Sequence, residues 1–277
     1  MTFSMPVESA LLYAKKHVPE AVVIARNGKV APEVYDNGFA AGDAHAIYSG
    51  TKSFWGPLAI RAQEDGILQL DEPVCTTIGE WKNDRAKAQI TIRMLLSLTA
   101  GFGFGGLGAS VPTYDRAIAT PLKNAPGTTF TYGGIPLQIF GALLERKLKK
   151  SPHVYLFERL LKPAGIEVTS WRKLKDGSQP LPTGAFLTAR NWLAYGKYIV
   201  GHYKEFAKCF EGSPPNPRYG LGWWLTPENP TIPSDVIYAS GSGGQGMYIV
   251  PSHNLIAVHF GKSASYKHET FLKELLK

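Results

Sequence analysis

Ser49 and Lys52 stand three residues apart in YSGTKSF, residues 48–54, ahead of an apolar run that continues WGPLAIRAQEDG. On a helix, positions i and i+3 share a face, so this spacing sets a hydroxyl beside an amine. A serine hydroxyl is a weak nucleophile until a neighbour takes its proton, and a desolvated, uncharged lysine is able to take it. A helix N-terminus adds partial positive charge that favours a developing alkoxide and lowers the lysine pKa. The pattern alone is not specific, because serine is also a favoured helix N-cap, and Ser170 and Lys173 repeat it in SWRKLKDG. Context separates the two: Ser170 lies in a charged stretch, whereas Phe54, Leu58, Ala59 and Ala62 follow Ser49 on a side available to a core. Pro57 removes a backbone donor, which predicts a kink near Ser53 or a helix restarted at Pro57.

The remaining chemistry-bearing residues are dispersed. The seven histidines form no H-x-x-x-H pair, and no G-x-S-x-G is present, which argues against a zinc enzyme and an α/β-hydrolase elbow. His45 precedes Ser49 at loop spacing, so a histidine base is disfavoured. Cys75 and Cys209 are the only cysteines; lacking a C-x-x-C pair or a nearby histidine, they are read as two buried free thiols, with no disulfide, metal or cofactor expected. The net charge of +8 is spread from Lys15 to Lys277, and its densest cluster, Arg146 to Lys150, closes a helical segment. This is a solvated basic surface rather than a nucleic-acid site, with a weak preference for anionic substrates left open. No window reaches the roughly 18 consecutive apolar residues of a membrane span, and the first residues lack a basic n-region followed by a long apolar core. No membrane partner is expected; the chain reads as cytoplasmic as it stands, and as periplasmic or secreted if a signal peptide has been removed.

The elements that must position Ser49 and Lys52 come from the pattern on either side. Val7, Ala10, Leu11 and Ala14 recur at helical spacing, and AVVIARNGKVAPEVYDNG places two apolar runs around Asn27-Gly28, a dipeptide suited to a two-residue hairpin turn. Near the other end YGLGWWLT, DVIYASG, GMYIVP and LIAVHFG read as strands joining that hairpin in one antiparallel sheet, followed by a helix from His268 to Lys277. Between them the chain is mostly helical, with Gly/Pro-rich connectors. The prediction is an α+β fold: an antiparallel sheet flanked by N- and C-terminal helices, with an inserted, mostly helical lobe. At 277 residues and 44% hydrophobic composition, one catalytic domain of two lobes is expected, residues 1–66 plus 216–277 forming the sheet lobe and 67–215 the helical lobe.

Motifs along most of the chain fall in a recognisable order: YSGTKSF with GILQLDEPV, ITIRMLLSLTAGFG, PGTTFTYGGIPLQIFGALLE, LLKPAGI, PTGAFLTARNWLAYGKYI, YGLGWW and YASGSGGQGMYIVP. In that order the sequence resembles the serine β-lactamase and penicillin-binding family, most closely its class C β-lactamase and carboxylesterase branch, which includes nylon-oligomer hydrolases. The resemblance implies Ser49 as nucleophile and Lys52 as its basic partner. The family's Tyr-x-Asn falls on Tyr132-Gly133-Gly134, so Tyr132 matches a proton-shuttling tyrosine and Gly134 lacks the amide that would touch an acyl group. A phenol with a pKa of about 10 is a poor base at neutral pH, so Tyr132 and Lys52 are treated as one coupled base. The third motif, a basic residue, Thr or Ser, then Gly, reads Ala239-Ser240-Gly241, with the N–H groups of Ser49 and Ser242 implied as the oxyanion hole.

Ala239 takes the place of the cation that helps hold a substrate carboxylate, which favours a neutral ester or amide. Ser240, Gly241, Gly134 and Gln245 are substrate-contact candidates, and of the pair Trp223 and Trp224 one is expected in the core and one at the pocket wall, with Trp223 assigned to substrate. The expected function is a serine hydrolase acting on a small ester, amide or lactam through an acyl-enzyme. The alternatives are β-lactamase or D-Ala peptidase activity, or a non-catalytic binding protein on the same fold.

Overall fold

The computed structural model describes residues 5–226 and 229–277. The chain opens with α1 (Met5–Lys15) and the hairpin β1 (Pro19–Arg26) and β2 (Lys29–Tyr35), closed at Asn27 and Gly28 as the dipeptide predicts. A short β3 (Ala44–Ala46) leads into a 3-10 turn over Tyr48–Phe54 and then α2 (Trp55–Glu64). The middle of the chain holds α3 (Ile92–Leu96), α4 (Tyr114–Ala119), α5 (Ile135–Leu148) and α6 (Pro152–Leu156), the strands β4 (Ser170–Trp171) and β5 (Ala185–Thr188), and α7 (Ala189–Gly201). It closes with β6 (Trp224–Leu225), β7 (Ile237–Gly241), β8 (Gln245–Val250), β9 (Leu255–Gly261) and α8 (His268–Leu276).

Six strands form one antiparallel sheet in the order β2-β1-β9-β8-β7-β6, so the first hairpin joins the late strands through β1 and β9. Both faces of this sheet are covered, which explains why β1 and β9 are buried along almost their whole length and mostly apolar rather than alternating. Val22 and Ile24 of β1 face α1 and α8 through Val7, Ala10, Ala14, Phe271, Leu272 and Leu275. Ala21, Val23 and Ala25 face the opposite way into the main core, which also holds Phe54, Leu58, Leu95 and Leu143. The antiparallel sheet with its terminal helices and helical insert is thus the α+β architecture that the pattern predicts.

Three details differ from the sequence reading. The middle of the chain contributes strands as well as helices: β5 pairs with both β3 and β4 in a separate three-stranded sheet. The break in the helix after Ser49 falls at Phe54–Trp55, so Pro57 sits in the first turn of α2, where its missing N–H has no partner to lose. Cys209 is buried, but Cys75 is only half-buried; both are free thiols.

Candidate active site

Ser49 and Lys52 lie on the 3-10 turn, where three residues complete one turn and i and i+3 eclipse, so the two side chains sit directly above one another. Lys52 Nζ donates to Ser49 Oγ at 3.0 Å and to the carbonyl of Pro182 at 3.1 Å. The second S-x-x-K begins on β4, where period-two geometry separates i from i+3, and Ser170 is exposed.

The turn is held by one internal bond and by two bonds to distant segments. Ile47 N–H donates to Ala185 O, Ser53 Oγ to Gly50 O, and Tyr195 hydroxyl to Ser53 O. The segment carrying Pro182 is held in turn: Trp55 Nε1 donates to Leu181 O at 2.6 Å, and Leu181 N–H donates to Gln138 Oε1 at 2.9 Å. Tyr48, just before the serine, has φ +45°, a left-handed conformation that side chains rarely adopt.

Lys52 is 1% exposed, and no carboxylate among the described residues forms an ion pair with it. Burial therefore dominates and lowers its pKa from 10.5 to about 7.

Tyr132 lies beside it, with Lys52 Nζ 4.7 Å from the ring centroid. The residue is partly open to solvent, but desolvation pushes its phenol up to about 12 against the opposing effect of the Ser49 hydroxyl. The two environments push a lysine down and a tyrosine up, the divergence that separates a proton acceptor from a proton donor.

Gly241, at the end of β7, backs onto this turn: a Cβ there would lie 2.2 Å from Ile47 O and 3.2 Å from Tyr48 Cβ. The close approach of the segment before Ser49 is enough to require glycine here, independently of the substrate contact expected from the sequence. β6 pairs only with Ile237 and Tyr238, so from Ala239 onward that edge of β7 is open among the described residues. Ala239 shares the core-facing side with Ile237, and Ser240 alternates, half-buried, to the side of Tyr238. Ser242, itself exposed, begins the turn beyond.

Three further candidates need correction. Trp223 is fully buried against Tyr195 and Phe210, whereas Trp224 stacks on Tyr132 with ring centroids 5.6 Å apart; strand alternation sends one tryptophan inward, and the partner at the site is Trp224. Gln245 is buried, and both its amide ends are bonded to backbone, so neither of its N–H donors is free for a substrate. Gly134 donates its N–H to Gly105 O and would place a Cβ 1.9 Å from Gly106 O, so it packs against the 101–110 loop and has no side-chain contact to make.

His45, the nearest histidine, is occupied elsewhere, with Nε2 2.8 Å from Glu20 and Nδ1 2.7 Å from Ala46 O. Sequence reasoning missed two exposed aromatics: Tyr48, 43% exposed next to Ser49, and Phe104, 78% exposed on the loop whose Gly105 bridges Gly133 beside Tyr132. An aromatic between glycines in GFGFGG was the available signal.

The sequence profile described as Beta-lactamase matches residues 12–270. The chain belongs to the beta-lactamase family. Among solved structures of this fold, EstCE1, a hydrolase with promiscuous acyltransferase activity, is 16% identical with a TM-score of 0.79 over 98% of this chain and 97% of that one. The class C beta lactamase from Rhodobacter sphaeroides is 15% identical with a TM-score of 0.73 over the same shares, 98% and 97%. At these identities the likeness establishes the fold. Protein flp of Staphylococcus aureus (strain N315) is 26% identical over 188 residues, 60% of this chain and 37% of that protein. This beta-lactamase family chain therefore spans little more than a third of the length of that curated relative. No helix among the described residues is long and apolar enough to cross a membrane.

Proposed function

We propose that this chain is a serine hydrolase of small neutral esters or amides, working through an acyl-enzyme on Ser49. The observation that carries this reading is the 3.0 Å contact between the Ser49 hydroxyl and a lysine amine buried without a carboxylate. With a pKa of about 7, Lys52 is substantially neutral at physiological pH and accepts the serine proton as Oγ bonds to the substrate carbonyl carbon. The carbonyl electron pair moves onto oxygen, which the N–H groups of Ser49 and Ser242 stabilise. When the tetrahedral intermediate collapses, the leaving alkoxide or amine takes the Tyr132 proton, and the Lys52 ammonium restores it. Water then repeats the sequence: its proton goes to the same pair, its oxygen bonds to the acyl carbon, and Ser49 leaves reprotonated with release of the acid.

Substrate class follows from the charge at the site. Ala239 is buried with Ile237 in the core and offers no cation to a carboxylate, while Tyr48, Phe104 and Trp224 offer apolar surface. That combination favours a neutral acyl group over a penicillin-like or peptide carboxylate. The test is a panel of p-nitrophenyl esters, short amides and a chromogenic cephalosporin, assayed with wild type and Ser49→Ala, together with labelling by a fluorophosphonate. Turnover of esters or amides and labelling of wild type, both lost in Ser49→Ala, are expected. An intact, folded wild type that neither turns over nor labels is a binding protein, and preferential cephalosporin hydrolysis makes it a β-lactamase.

A further inference from the structure

We infer that Gln245 is a positioning residue for the oxyanion-binding turn, holding Ser242 in place through its buried side-chain amide. The inference rests on the serine hydrolase reading above and concerns how the Ser242 N–H is kept in position.

The turn after β7 has little rigidity of its own. The ladder between β7 and β8 ends at Gly241 and Gln245, and the intervening Gly243 and Gly244 have φ +83° and +91°, conformations that glycine enters and leaves at little cost. An oxyanion hole works because its donors are fixed before charge develops, so a mobile Ser242 would lose most of its value.

Hydrogen bonds from outside the turn supply the missing constraint. Gln245 Nε2 donates to Ser242 O at 3.0 Å and to Gly261 O at 2.6 Å, while Gln245 Oε1 accepts from Gly261 N–H at 3.1 Å. Both amide hydrogens and one oxygen lone pair are thus committed to backbone. The side chain ties the turn to the end of β9, the central strand next to β1. Two further bonds continue the pattern: Ser263 N–H donates to Gly243 O at 3.1 Å, and His259 Nδ1 lies 2.7 Å from Gly244 O. Every carbonyl of the turn is therefore held toward β9 and the segment after it. Gly241 is clamped against Ile47 on one side of Ser242 and Gln245 grips the Ser242 carbonyl on the other, so the N–H between them is fixed. Gly243 belongs to the same arrangement, since a Cβ there would lie 3.0 Å from Gln245 Nε2.

Gln245→Met keeps the volume and unbranched shape of the side chain while removing all three bonds. Activity is measured per active site titrated with fluorophosphonate, so that loss of folded protein does not count as loss of rate. Expected is a fall in kcat of about 10-fold to 100-fold, below the full loss of an oxyanion donor, with KM changed less than about twofold. An unchanged kcat per titrated site overturns the inference, and so does a rise in KM at constant kcat, which would make Gln245 a substrate contact. A crystal structure of the wild-type phosphonylated protein gives a second measurement independent of the variant's folding. The phosphoryl oxygen should accept from Ser242 N–H with the Gln245 bonds intact, and a Gln245 amide turned onto the phosphoryl group instead refutes the positioning role. Ser49→Ala run alongside separates the two levels: turnover that survives it removes the hydrolase reading itself, whereas its loss together with a fully active Gln245→Met removes only this inference.

Discussion

Replacing Lys52 by methionine should change the pH dependence of stability by an amount set by the lowered pKa of its buried amine. In the unfolded chain the amine has its ordinary value of 10.5, and in the fold about 7. Between those limits the unfolded state binds a proton that the folded state does not, so stability rises with pH across the window. Below about pH 7 both states are protonated and the buried, unpaired ammonium weighs against folding in full. At about 1.4 kcal/mol per pKa unit, the difference amounts to about 5 kcal/mol. Methionine fills similar volume and carries no proton, but it leaves Pro182 O without its donor, which costs about 1–3 kcal/mol at every pH.

Lys52→Met should therefore be the more stable protein at pH 6 and the less stable one near pH 10, with the curves crossing between. Urea titrations followed by the fluorescence of the six tryptophans, run at intervals from pH 6 to 10, measure this directly. Titrating groups remote from Lys52 cancel in the difference between the two proteins, and the Tyr132 phenol beside it, pushed up to about 12, stays protonated across that range. Parallel stability curves across that range would show that the Lys52 pKa is not lowered by burial, and the proposed base would lose its physical ground.

Tyr132→Phe keeps the ring that stacks on Trp224 and removes the hydroxyl, so kcat and kcat/KM should both fall by about 10² or more while the melting temperature stays near native; an early melt with a native rate per folded molecule would make Tyr132 a packing residue. Gly134→Asn, which restores the family's residue in sequence, should destabilise by about 3 kcal/mol or more in a denaturant titration, because its Cβ meets Gly106 O at 1.9 Å; a variant as stable as wild type would contradict the packing described for that loop. The two tryptophans should separate cleanly: Trp223→Ala should cost about 3–5 kcal/mol of stability, and Trp224→Ala should change turnover more than stability, with the reverse result refuting the assignment of Trp224 to the site.

What could be read from the sequence was local. The serine and lysine are three residues apart, and any helical turn brings such a pair onto one face, so their proximity needed no knowledge of the rest of the chain. The strands β1 and β7 to β9 were legible because apolar runs bounded by turn residues survive without context, and Tyr132 was legible from its place in an ordered set of motifs. The lysine's chemistry was not. Its low pKa comes from the exclusion of water, and the carbonyl it donates to, Pro182, is 130 residues away in sequence.

The same limit explains the residues that moved. Trp223 and Trp224 are equivalent in composition, and only tertiary packing, Trp223 on Tyr195 and Trp224 on Tyr132, decides which faces inward. Gln245 looked like a substrate contact because a polar residue in a glycine-rich turn reads as available; the end of β9 folds alongside it and takes up its amide. Gly241 and Gly134 carry no side chain to interpret, and what requires each is a backbone carbonyl brought close by tertiary folding, Ile47 O in one case and Gly106 O in the other. Sequence spacing determined which groups meet along one turn; desolvation and contacts between distant segments, which exist only once the core has closed, decided what those groups are able to do.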